Sequence, residues 1–187
     1  MSAKLHCRAA RRGFRALEQS VSIERSGRRV GQARIRSIAE ELLSASTLCA
    51  ISTVGPRGRA YVNTAYFAWS QDLRIVWLSE PSAQHSRNLR ANGSVAIAVY
   101  DSSQTWGRED RGIQICGEAH AGGPDAEEIY TRRFSAYGES ELDYRFYELV
   151  PRSLKLFDER ALGRATFVTA RVGDGRLAWE RTEIYRT

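Results

Sequence analysis

The fold is decided by Thr47-Leu48-Cys49-Ala50-Ile51-Ser52-Thr53-Val54, Gly55-Pro56-Arg57-Gly58 and Ala60-Tyr61-Val62-Asn63-Thr64-Ala65-Tyr66-Phe67-Ala68-Trp69. The first segment is apolar and β-branched, and Gly-Pro-Arg-Gly is a turn signal. The third segment predicts a long strand. Ser70-Gln71-Asp72 separates it from a further apolar run over 73–79. Three strands with short connections predict an antiparallel meander.

Upstream, Ile35, Ile38, Ala39, Leu42 and Leu43 recur at helical spacing, with Arg34, Arg36, Glu40 and Glu41 between them. This predicts an amphipathic helix over 31–45. Downstream, Ser82 reads as the N-cap of a short helix ending near residue 91, before Asn92-Gly93. Val95, Ile97 and Val99 alternate with Ala96 and Ala98, predicting a strand over 94–101 with both faces largely buried. Residues 102–111 are polar and read as a loop, and 112–120 as a strand. Residues 124–137, with Pro124 and early acidic residues, predict a helix. A second short helix is expected over 140–149. Strands over 153–158, 166–172 and 177–185 complete the chain. About eight short strands with two to four helices make a mainly β (α+β) protein, a closed or partly closed antiparallel barrel flanked by helices.

The 187 residues carry a net charge of +6. Residues 1–36 hold ten Lys/Arg against two Glu, a local +8, so the remaining 151 residues carry −2. The domain division follows: a basic, disordered arm over 1–30 and a folded domain over 31–187. Such an arm can bind nucleic acid with steep salt dependence, but Phe14 is its only aromatic and the body is slightly acidic. No apolar run reaches the roughly 18–20 residues of a membrane span, and the N-terminus lacks the apolar run of a secretory signal. Cys7, Cys49 and Cys116 form neither a disulfide framework nor a zinc pattern, which fits a reducing cytoplasm. Cys49 and Cys116 lie in apolar strands and read as buried core thiols.

The most informative chemistry is the strand-to-helix junction Ser79-Glu80-Pro81-Ser82-Ala83-Gln84-His85-Ser86-Arg87. A helix N-terminus offers free N–H groups to an anion. Ser82, Gln84, His85, Ser86 and Arg87 add donors, Arg87 in two-pronged fashion. The alternative is that Ser82 merely caps the helix and Arg87 lies on a solvated face. The second signal is the loop holding Gln104, Trp106, Arg108 and Arg111, where Trp106 either stacks on a planar ligand or covers the barrel mouth. No nucleophile elbow, phosphate-binding glycine loop or metal spacing occurs, so the catalytic residues are unknown and no metal is expected. Asp72, Asp101 and Asp158 sit at strand ends, where carboxylates solvate turns. A chain without an acid–base constellation can still catalyse when a cofactor carries the chemistry.

Residues 47–53 and 58–68, Ser86-Arg87-Asn88-Leu89-Arg90-Ala91-Asn92 with the strand behind it, and Gly112-Ile113-Gln114-Ile115-Cys116-Gly117-Glu118-Ala119 together resemble the pyridoxamine 5′-phosphate oxidase-like, FMN-binding split-barrel family. The likeness runs over about 35–172. It implies a six-stranded split barrel and a homodimer with two flavin sites at the interface. The isoalloxazine would lie along Asn63, Thr64, Ala65 and Tyr66, and the phosphate at Ser79, Ser82, Gln84, His85, Ser86 and Arg87. The partner subunit would contribute Gln104, Trp106 and Arg111. The oxidase proper has Arg and Lys where this chain has Gln84 and His85, and again where it has Asn63 and Ala68. The oxidase's C-terminal Arg-x-His is missing. The resemblance therefore implies an FMN-dependent oxidoreductase on a small organic substrate, but not pyridoxamine phosphate oxidation itself. Tyr66 and His85 are its candidates for proton transfer. A deazaflavin in place of FMN is the near alternative. Haem or tetrapyrrole binding, with His85 or His120 as ligand, is the other.

Overall fold

The structure, a computed structural model, describes residues 22–135 and 143–186. The chain runs β1 (Ser22–Ser26), α1 (Gln32–Ser44), β2 (Leu48–Val54), β3 (Ala60–Trp69), β4 (Ile75–Ser79), α2 (Gln84–Ala91) and β5 (Ser94–Tyr100). Then come β6 (Arg111–Ala121), α3 (Ala126–Arg133), β7 (Arg145–Asp158), α4 (Glu159–Leu162), β8 (Thr166–Gly173) and β9 (Arg176–Arg186). Among the described residues no helix is long and apolar enough to cross a membrane.

The strand order is β1-β9-β8-β7-β4-β3-β2-β5-β6, and β6 also pairs with β7. Six strands therefore close into an antiparallel barrel, and β8, β9 and β1 extend the sheet from it. β7 makes this possible. One of its edges pairs with β6 along most of its length; the other meets β4 over 145–149 and β8 over 153–157. The register of β6 against β7 shifts between Cys116 and Gly117. A side chain at Gly117 would put a Cβ 2.1 Å from the Val150 carbonyl oxygen, so the crossing needs glycine.

Period-two alternation puts Ile51, Val95, Ile97, Ile113, Ile115, Leu154 and Leu156 inside the barrel. α1 buries Ile35, Ile38, Ala39, Leu42 and Leu43 against the same core, the stripe its spacing predicts. Each fully buried aliphatic side chain contributes roughly 1.5–3 kcal/mol, so this stripe holds the helix although Gly31 provides no side-chain cap. At the other end of α1, the Arg133 guanidinium donates to the Leu43 and Ser46 carbonyls and lies over the Phe67 and Trp69 rings. α3 packs Ala126, Ile129 and Tyr130 against Ala68 and Val76 on the outside of the barrel.

Five expectations change. The folded domain begins before residue 31, because Ser22–Ser26 pairs along β9 from Ser22↔Arg186 to Ser26↔Thr182; the rest of the expected arm, 1–21, lies outside the described residues. The helix expected over 140–149 is instead the start of β7 from Arg145 onward; 140–142 lie outside the described residues. There the charged residues fall on a strand pinned between β4 and β6, and tertiary pairing overrides local helix preference. β5 buries one face only, with Ala96 exposed, because the barrel interior takes Val95, Ile97 and Val99. Cys116 is exposed while Cys49 is buried, since Ile113 and Ile115 take the inward positions of β6. Of the helix expected over 124–137, the structure forms Ala126–Arg133; 136–137 lie outside the described residues.

Candidate functional site

β3 is paired with β2 from Ala60 to Tyr66, but with β4 only at Phe67, Ala68 and Trp69. Over 60–66 the edge of β3 turned away from β2 therefore carries no strand among the described residues. A cleft of about 390 Å³ opens there. Asn63, Thr64, Ala65 and Tyr66 form one wall, Ser79 and His85 lie at the β4–α2 junction, and Tyr130 and Tyr144 stand opposite, with Leu78, Glu80 and Ala83 completing the lining. Six of the thirteen residues singled out in the sequence thus meet in one cleft.

At the junction lies a buried polar trio. The Ser79 hydroxyl is 2.7 Å from His85 Nε2, and Ser86 Oγ donates to Ser79 Oγ at 3.2 Å. All three are at least nine-tenths buried. Burial pushes the His85 pKa below the ordinary imidazole value. α2 can turn polar residues inward because each finds a partner. Asn88 donates to Thr53 Oγ1 at 3.0 Å and accepts from Gln84 at 2.8 Å.

Two junction residues behave otherwise than expected. Ser82 is not the cap: Ala83 takes that position, and the Ser82 hydroxyl donates to Glu80. Arg87 does not line the cleft. Its guanidinium folds back over the exposed side of α2 onto the Ser82 carbonyl and Gln84 Oε1. Both departures share a cause, since nearby acceptors on the same short connection satisfy these donors.

Gln104, Trp106 and Arg111 lie apart from the cleft, around two separate hollows. Gln104 braces its loop by donating to the Asp101 and Arg111 carbonyls and accepting from the Arg111 N–H. The Arg111 guanidinium pairs with Asp158 at 2.9 Å and with Glu41. Asp158 is fully buried rather than a solvated turn residue, and its other oxygen caps α4 at Arg160 and Ala161. Trp106 is 97% exposed. His120 is exposed, 3.7 Å from Glu148.

The reading from sequence missed Tyr130 and Tyr144. Tyr130 comes from α3, packed against β3 and β4, and Tyr144 from the segment before β7, so tertiary packing brings both to the cleft. Tyr130 sits one helical turn before Phe134, against which it packs at 4.9 Å. That aromatic i, i+4 pair was the available signal.

A free strand edge offers backbone donors and acceptors in line, suited to the rim of a planar heterocycle. The hydroxyl and imidazole trio beside it suits a polar or anionic tail. The residues present therefore fit a flavin-like ligand in shape and donor set, with few charges to hold its phosphate.

The family model described as pyridoxamine 5′-phosphate oxidase matches residues 36–171. No curated protein matches the chain significantly. Among solved structures, a Clostridium acetobutylicum protein related to general stress protein 26, of the pyridoxinephosphate oxidase family, superposes with a TM-score of 0.59 at 13% identity, covering 76% of this chain and 97% of that one. A haem-binding protein from Mycobacterium smegmatis gives 0.55 at 12% identity, covering 84% and 89%. The haem storage protein HutZ of Vibrio cholerae gives 0.54 at 22% identity, covering 64% and 92%. At these identities the structural likeness speaks for the fold, and the family match covers most of the chain. The chain belongs to the pyridoxamine 5′-phosphate oxidase family.

Proposed function

We propose that the protein is an FMN-dependent oxidoreductase that holds its cofactor along the open edge of β3. The observation that carries this is the Asn63–Tyr66 edge, unpaired among the described residues, opening onto Ser79 and His85, with Ser86 donating to Ser79 from behind. When bound, flavin supplies the hydride chemistry. The chain's residues do the rest. The backbone at Asn63, Thr64, Ala65 and Tyr66 orients the ring. Ser79 and His85 hold the phosphate end, and Ser86 fixes the Ser79 hydroxyl from behind. Tyr66, Tyr130 and Tyr144 narrow the cleft and exclude water, and the Tyr66 phenol and His85 imidazole can hold or move a proton. A second copy of the chain brings its loop with Trp106 over the cleft, while Gln104 and Arg111 brace that loop from within.

The second reading is haem. It draws on the names of two structurally similar proteins and on the buried imidazole of His85, which would have to leave Ser79 to ligate iron. One experiment separates the two. The purified protein is titrated with FMN, a deazaflavin and haem, followed by absorbance. Near-stoichiometric flavin binding, weakened at least tenfold in Ser79→Ala, supports the flavin reading. A Soret band without flavin uptake replaces it with the second, and uptake of none overturns both.

A further inference from the structure

We propose that His85 determines the charge preference of the cleft, supplying its positive charge only on protonation, so that an anionic group is held there in a pH-dependent way. The inference rests on the cofactor reading for its physiological ligand, but it concerns a titration belonging to the chain itself.

No Lys or Arg is among the described residues lining the cleft. Most guanidinium groups on the elements around it have other partners: on α3, Arg132 pairs with Glu128 and Arg133 donates to the Phe67, Leu43 and Ser46 carbonyls. Arg87 is held by Ser82 and Gln84, and Arg90 donates to the Pro81 carbonyl at 3.0 Å. Arg145, across from Ser79 on β7, is not among the residues lining the cleft; its exposed guanidinium lies 3.8 Å from Asp143. Tyr66 of β3, Tyr130 of α3 and Tyr144 bring phenols, and Glu80 brings a carboxylate that takes the Ser82 hydrogen bond. Only His85 can become a cation inside this lining.

The hydrogen bonds couple that charge to a donor. While the imidazole is neutral, Nε2 can accept the Ser79 proton at 2.7 Å. Once protonated, Nε2 must donate, and Ser79 Oγ accepts from His85 as well as from Ser86. The Ser79 proton then turns from Nε2 to either the Glu80 carbonyl, 3.4 Å away, or an anion in the cleft. One protonation thus creates a positive charge and a hydroxyl donor for which an anion competes only with the long contact to the Glu80 carbonyl. Burial opposes this protonation; a nearby anion favours it. Anion binding above the His85 midpoint therefore takes up a proton, and affinity falls as pH rises.

The test follows the imidazole C–H signals by NMR across pH, with His85 assigned by its loss in His85→Gln. Sulfate is the probe, because it does not itself titrate in this range. The expected result is a His85 midpoint that rises with sulfate while that of His120 moves much less. A His85 midpoint indifferent to sulfate, or one moving only in step with His120, overturns the proposal. FMN and riboflavin affinities are then compared between about pH 7 and 8.5, where a phosphate monoester is already ionised. FMN should weaken by up to roughly tenfold per pH unit and riboflavin stay level, and His85→Lys should flatten the FMN slope. Equal slopes for the two flavins overturn the His85 role and leave flavin binding standing. A sulfate-shifted His85 in a protein that ignores flavin supports the His85 role and overturns the cofactor reading.

Discussion

His85 is nine-tenths buried with Ser79 as its hydrogen-bond partner, and burial favours its neutral form. The unfolded chain regains an ordinary imidazole, with a pKa of about 6.5. The unfolded state then binds more protons than the folded state between the lowered folded value and about 6.5, so stability increases with pH across that window. Below the folded value both states are protonated and the loss is complete. Urea midpoints measured from about pH 5 to 8 should fall on acidification through this window, and His85→Gln should remove that part of the slope. An unchanged slope in the variant would assign the effect to other groups. Cys49 is a simpler case. Burial raises its pKa to about 12, so alkylation should reach it only on unfolding, as mass spectrometry of native and denatured protein can show.

At the scale of elements, the junction of β7 and α4 carries the most exacting electrostatics. Asp158 is fully buried, pairs with Arg111 at the start of β6 and caps α4. Asp158→Ala would leave a mostly buried guanidinium without its main partner and remove the cap, a loss of about 3–5 kcal/mol. Asp158→Asn keeps an acceptor for the α4 N–H groups and should cost less. Equal urea midpoints for the two variants would mean that the cap contributes nothing. In the sequence Asp158 looked like an ordinary strand-end carboxylate, because its partner lies 47 residues away. The same limit explains the other departures. The meander over 47–79 and the α1 stripe were legible because alternation and helical period are local. The start of β7 was not, since Arg145–Leu149 becomes strand only by pairing with both β4 and β6. The β3 wall of the cleft was legible from residue types in order. Its opposite wall depends on α3 packing against β3 and β4 for Tyr130 and on the approach to β7 for Tyr144, and the turning back of Arg87 on a competition among neighbouring acceptors.

The molecule as a whole presents an outer barrel face of unusual composition. Val62, Thr64 and Tyr66 project from β3, beside Leu48, Ala50 and Ser52 of β2. The register continues these rows to Ala96 and Ala98 of β5, and then to Cys116 and Gln114 of β6. Small residues make the centre of this face flat, while Val62 at 73% exposure and Tyr66 at 57% leave apolar surface in water beside the cleft. Contiguous exposure of this kind marks an interaction surface more often than scattered single residues do. A second copy covering it would also give the exposed Trp106 an environment. Light scattering should then report about twice the 21.0 kDa chain mass. Val62→Lys places a charge on the exposed apolar part of this face without altering the trio at Ser79, so it should yield monomer and weaken FMN binding at least tenfold. Wild-type protein that runs as a monomer would remove the dimer from this account. A monomeric Val62→Lys with undiminished flavin affinity would show that one chain completes the cleft alone, and would reassign the Trp106 loop to some other contact.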